Sequence, residues 1–134
     1  MFQFCSLYSG STGNSSIVQS NKTKILVDVG ESAKKIAEAL ASINVDPFSI
    51  DAILITHEHS DHVKGLAVFS KKYNVPVYAN IETWNAMQKY KEKLNEENIK
   101  TFTFNKFKFS MVLLLPTAIN PALFILLIYK PLMI

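Results

Sequence analysis

The chain contains no arginine, a single cysteine, and no histidine beyond His62. Without arginine there is no planar fork for bidentate phosphate contacts, and the formal charge of +3 forms no clustered basic face. Residues 1–100 hold 11 lysines against 11 acidic residues, so the excess comes wholly from Lys106, Lys108 and Lys130. Net charge therefore gives no argument for a nucleic-acid partner. The lone Cys5 rules out an intramolecular disulfide framework and a four-thiolate zinc site, and suits a small buried hydrophobe better than a nucleophile. No Lys or Arg precedes Lys22, and Ser, Gly and Asn fill much of the opening segment, so neither part of a secretion signal is present and a cytoplasmic location is expected. There is no internal repeat and no low-complexity linker.

What remains is the composition of one folded domain: 134 residues, 49% hydrophobic and 19% charged. Phe2, Phe4 and Leu7 are spaced for a strand, residues 9–16 form a small-residue loop, and Ile17-Val18 resumes a strand. Asn21-Lys22 predicts a hairpin turn into a strand over residues 24–29, ended by Gly30. Ser32 is placed to cap a helix whose buried stripe is Ile36, Leu40 and Ile43, closed by Asp46 and Pro47. The apolar run from Ala52 to Ile55 reads as a strand buried on both faces. Beyond a polar cluster, Val63, Leu66, Ala67 and Ser70 predict a helix and Val75 to Tyr78 a strand. Trp84, Met87, Tyr90 or Lys91, and Leu94 then mark the apolar stripe of one exposed, Lys/Glu-rich helix. Its mixed charges make a solvated face. Strands alternating with helices give a layered α/β fold class.

The polar cluster is Thr56-His57-Glu58-His59-Ser60-Asp61-His62, and it contains every histidine of the chain. Imidazole and carboxylate are ligands that Zn²⁺, Fe or Mn accept. Isolated histidines are mostly surface or structural residues, but four ligand-type side chains in the order His-x-His-x-Asp-His after a buried strand point to a metal. In an extended segment, residues 57, 59 and 61 project to one side and His62 points elsewhere. The pattern suits two neighbouring ions, His57 and His59 for one and Asp61 and His62 for the other, and hence hydrolysis. A His-Glu-x-x-His protease helix is excluded, because Asp61 stands where its second histidine belongs. Residues 10–15 lack the Lys-Ser/Thr pair of a phosphate loop and are expected to form a tight turn beside the site.

The same segment resembles the signature of the metallo-β-lactamase-fold hydrolases, and residues 26–30, Leu-Val-Asp-Val-Gly, resemble the strand-ending Asp motif that precedes it there. Residues 5–15 resemble the small-residue opening of the YycJ/WalJ-like branch, described as nucleases. The resemblance covers residues 1 to about 108. It implies the N-terminal part of an αββα fold, a site for two zinc ions with Mn²⁺ or Fe as alternatives, and DNA or another phosphodiester as substrate. His57, His59, Asp61 and His62 would be the ligands, with Asp61 also orienting the attacking water. Asp28 would anchor the histidine loop from behind, its other reading being a strand-end turn cap. No protein partner is implied.

Against that pattern, the chain has no Asp after Asp61 and no acidic residue after Glu97, where the family draws a further His, a bridging acid and a final His. Each ion is left short of the roughly three protein ligands usual at a catalytic zinc. Residues 1–108 are expected to form the domain portion and 109–134 an atypical apolar tail, uncharged from Phe109 to Tyr129. Truncation or a frameshifted reading of a longer gene is the expected origin of such a tail. A non-catalytic fragment and a membrane anchor are the rival readings, the second weakened by Pro116, Asn120 and Pro121. Two buried strands are a third reading of the tail.

Overall fold

The computed structural model describes residues 3–102. The tail expectations for residues 109–134 lie outside them. In chain order the elements are β1 (Gln3–Tyr8), β2 (Ser15–Gln19), β3 (Lys24–Val27), α1 (Ala33–Ser42), β4 (Ala52–Leu54), α2 (Ser60–Val63), α3 (Leu66–Tyr73), β5 (Val77–Asn80), α4 (Ile81–Ala86), α5 (Gln88–Lys91) and β6 (Ile99–Phe102). The six strands form one sheet in sequence order. The first three make an antiparallel ribbon, and β3 to β6 run parallel. Parallel neighbours need crossovers, and the helices supply them.

This topology places the site. The carboxyl ends of β3 and β4 share one edge of the sheet, the usual location for ligands in open α/β sheets. β2 runs against β3, with Ser16 opposite Val27, so its start and the loop before it reach that same edge. Residues 9–14, 28–31 and 55–62 therefore converge from three separate parts of the sequence.

The core lies where Leu26, Ile53, Val77 and Ala79 meet Ile36, Leu40, Leu66, Phe69 and Trp84. Ile25, Val27, Ala52 and Leu54 occupy the alternate pleat and are buried as well, so β4 is covered on both faces as its unbroken apolar run predicts. Ser32 caps α1, its Oγ accepting from the Lys35 N–H at 3.3 Å. Ser32→Ala is expected to lower stability by about 1 kcal/mol, seen as a lower urea midpoint with unchanged slope.

The helices depart from expectation in three places. α1 stops at Ser42, before Pro47, because Asn44 turns left-handed at φ 59°, and Ile43 is only half-buried. The helix after the histidines is two, α2 and α3, separated at Gly65, where a Cβ would stand 2.0 Å from the Glu31 carbonyl oxygen. The single Lys/Glu-rich helix is also two, broken at Met87 (φ −112°, ψ 36°), although Trp84, Met87 and Leu94 are buried as their spacing implies. β6 was not anticipated. Cys5 is half-buried rather than fully enclosed. Among the described residues no helix is long and apolar enough to cross a membrane.

Candidate metal centre

β3 ends at Val27 and the chain turns at Asp28, which adopts a left-handed φ of 64° that aspartate tolerates better than most residues. The turn drives its carboxylate behind the histidine loop, where the residue is only 4% exposed. Asp28 Oδ1 accepts the Thr56 N–H at 2.8 Å, and Oδ2 accepts the Thr56 hydroxyl at 2.7 Å and pairs with His62 Nδ1 at 2.7 Å. Its own N–H donates to the Leu54 carbonyl at 2.8 Å. One side chain thus ties together the ends of β3, β4 and α2.

These contacts fix the protons on two imidazoles. An ionised carboxylate only accepts, so His62 Nδ1 and Thr56 Oγ1 must both donate to it. Thr56 has then spent its single proton, and its 3.0 Å contact with His57 Nδ1 runs from the ring N–H to the hydroxyl oxygen. In their neutral forms both rings are protonated at Nδ1 and present a free Nε2 lone pair, the form a metal accepts. His57 and His62 titrate in opposite directions. Burial, then the neighbouring His62, holds His57 below the ordinary histidine value. Burial also pushes His62 down, but its hydrogen bond to Asp28 and the charges of Asp28 and Asp61 outweigh it and raise its pKa. A proton would therefore compete with any ion held at His62, and such an ion would bind more tightly as pH rises through that pKa.

The expectation that His62 points away from the other ligands is overturned. His59 is the first residue outside α2, which opens at Ser60, so the backbone coils after His59 and carries His62 back to His57. The ring centroids of His57 and His62 are 3.9 Å apart, closer than the 4.5 Å between His57 and His59. Asp61 Oδ2 lies 3.5 Å from His62 Nε2. Two donors on one tetrahedral ion with bonds of 2.0–2.2 Å stand about 3.3–3.6 Å apart, so this pair fits a shared zinc-type ion. Among the described residues, no three His, Cys, Asp or Glu side chains are grouped around one point.

Backbone contacts hold the cluster from below. Val29 N–H donates to the His62 carbonyl at 2.8 Å, Gly65 N–H to Val29 at 2.9 Å, Asn14 N–H to Asp61 at 2.7 Å and Gly30 N–H to Asn14 at 2.9 Å. The buried Glu31 pairs with Lys35 at 3.3 Å and Lys64 at 3.5 Å, and Lys64 also donates to the Thr12 carbonyl at 3.3 Å. Burial pushes the Glu31 pKa up, and the two lysines with a Ser32 backbone hydrogen bond bring it below the usual value. The bonding role of Thr56, the Asn14 contacts and the Glu31 brace are not legible from residue type or spacing. The convergence of three loops on one sheet edge is the signal that finds them.

Residues 8–127 match the Metallo-beta-lactamase superfamily. The chain belongs to that superfamily. Within it, the chain is 48% identical over 109 residues to exodeoxyribonuclease WalJ of Streptococcus pneumoniae, covering 80% of this chain and 40% of the relative. It is 52% identical over 88 residues to exodeoxyribonuclease YycJ of Bacillus anthracis, covering 63% and 32%. A metallo-beta-lactamase structure from Cronobacter sakazakii superposes with a TM-score of 0.55 at 22% identity, over 60% of this chain and 33% of that one, and supports the fold alone. The chain thus spans well under half the length of these relatives. The metallo-beta-lactamase fold implies divalent metal ions, typically zinc.

Proposed function

We propose that this chain carries the metal-binding half of a hydrolase that cleaves phosphodiester bonds in DNA. The observation that carries the reading is the donor arrangement at the carboxyl edge of the sheet. His57 and His62 have their outer nitrogens tied through Thr56 and Asp28 and their Nε2 atoms free, beside the Asp61–His62 pair at ion-sharing distance. His57 and His59 would hold one ion and Asp61 and His62 the other. Two such ions, zinc or manganese, would supply a water of lowered pKa and offset negative charge on the attacking and leaving oxygens. Asp61 would orient the attacking water by accepting its hydrogen bond, and Asp28 holds His57 and His62 in the tautomer that leaves Nε2 unprotonated. DNA as substrate rests on the similarity to the two exodeoxyribonucleases, since the same ligand pattern serves other leaving groups.

A chimera tests this. The matching stretch of the Streptococcus pneumoniae WalJ protein is exchanged for that of this chain, and nucleotide release from end-labelled DNA is followed with added Mn²⁺. The chimera is expected to release nucleotides, and the same chimera with His59→Ala to lose at least about 100-fold in rate. A folded chimera that is inert beside an active WalJ parent, or one indifferent to His59→Ala, would overturn the reading.

A further inference from the structure

Asn14 lies in the small-residue loop before β2, far in sequence from the histidines, and has no part in the ligand pattern. Its side-chain amide is nonetheless fully engaged. Nδ2 donates to the Gly10 carbonyl at 2.7 Å and to Asp61 Oδ2 at 3.0 Å, and Oδ1 accepts the Gly10 N–H at 3.2 Å. The amide can sit only one way round. Flipped, it would set an oxygen against two acceptors, the Asp61 carboxylate and the Gly10 carbonyl, and an NH₂ against the Gly10 N–H. The backbone of Asn14 is pinned as well, to the Asp61 carbonyl and the Gly30 N–H.

Asp61 needs such a partner. It stands in the first turn of α2, a helix of four residues, and its side chain is 28% exposed. Among the described residues, Asn14 supplies the hydrogen bond that its carboxylate receives from a side-chain amide, and that bond falls on the oxygen 3.5 Å from His62 Nε2. The loop carrying Asn14 is itself braced, through Lys64 to Thr12 and through Glu31 packed against Gly13.

We propose that Asn14 is a positioning residue that locks the Asp61 carboxylate toward His62 and so sets the affinity of the Asp61–His62 ion alone. This rests on the reading of Asp61 and His62 as a metal pair. Among the described residues no side-chain hydrogen bond joins Asn14 to His57 or His59, so an ion held by those two is an internal control.

The test has a metal-free and a metal-bound arm. In the metal-free protein, both Asn14 side-chain NH₂ protons are expected to be protected from solvent exchange, and in Asp61→Ala the proton directed at Asp61 is expected to exchange faster while the one bonded to the Gly10 carbonyl keeps its protection. In a cobalt(II) titration followed by visible absorption, Asn14→Ala is expected to weaken one of two ions by about 10- to 100-fold and leave the other unchanged. The double variant Asn14→Ala/Asp61→Ala should bind no more weakly than Asp61→Ala, because the contact is already gone. Equal weakening of both ions, or of neither, overturns the proposal, as does a freely exchanging Asn14 amide in a protein that binds two ions. A wild type that takes up no cobalt while its Asn14 amide stays protected sinks the metal reading, and the positioning role with it.

Discussion

Asp28→Asn is expected to leave the fold standing and to weaken metal binding by about 10- to 100-fold, through a change of one oxygen to NH₂. Asparagine tolerates the left-handed backbone at position 28 and keeps the side chain's shape, and its remaining oxygen can still accept the Thr56 N–H. The new NH₂ then occupies the place of Oδ2, where the Thr56 hydroxyl and His62 Nδ1 both donate in the wild type. A donor cannot face two donors. His62 must move its proton to Nε2, and Thr56 must accept from the amide and turn its own proton toward His57 Nδ1, which sends the His57 proton to Nε2. Both imidazoles then present an N–H where a lone pair is needed. Asp28→Ala removes the same acceptors without replacing them, leaves buried donors unpaired, and is expected to lose about 3 kcal/mol or more of stability. Thermal unfolding alongside zinc affinity separates the two variants: near-wild-type melting with lost binding for asparagine, both lost for alanine. Wild-type zinc affinity in Asp28→Asn would show that the proton assignment is wrong.

Gly30→Ala is expected to be among the most damaging substitutions of small size in the chain. A Cβ at position 30 would stand 1.8 Å from the Asp61 carbonyl oxygen and 2.5 and 2.6 Å from the backbone N and O of Asn14. Every obstructing atom is backbone, so no side chain can swing aside. Relief requires separating the three segments that the Asn14, Gly30, Val29 and His62 hydrogen bonds hold together. The expected loss is about 3 kcal/mol or more, or a melting temperature lower by roughly 10–20 °C for a domain of this size. Gly10→Ala is the matched control. Nothing lies within 4 Å of its added methyl, and its φ is not positive, so its midpoint should stay close to wild type. A Gly30→Ala protein that melts with wild type would mean that the three loops do not approach as closely as described.

Much of this was legible in the residues, for physical reasons that differ from element to element. The strand β4 announces itself by an unbroken apolar run, because a strand buried on both pleats has no polar face to show. The start of α1 is written in Ser32, since a cap is a local hydrogen bond. Helix ends are less legible: Asn44 ends α1 by a backbone conformation that asparagine permits without requiring. The break at Gly65 is set by Glu31, thirty-four positions upstream, and no local pattern encodes it. The same division runs through the site. His57, His59, Asp61 and His62 are visible because three imidazoles and this carboxylate crowd into six positions. Asp28 is visible as a strand-end acid in the right order. That His62 returns to His57 depends on where α2 opens, and that Thr56 relays Asp28 to His57 and Asn14 grips Asp61 depends on contacts made only when separate loops meet.

Zinc content of the purified 134-residue chain, wild type beside His59→Ala, after dialysis against zinc and then metal-free buffer, tests the central claim most directly. The four donors predict zinc retained by the wild type, up to two ions per chain at saturation, and a content clearly lower in His59→Ala, whose first pair is broken. A wild type with no zinc above background, or a His59→Ala protein that retains as much as the wild type, would contradict it.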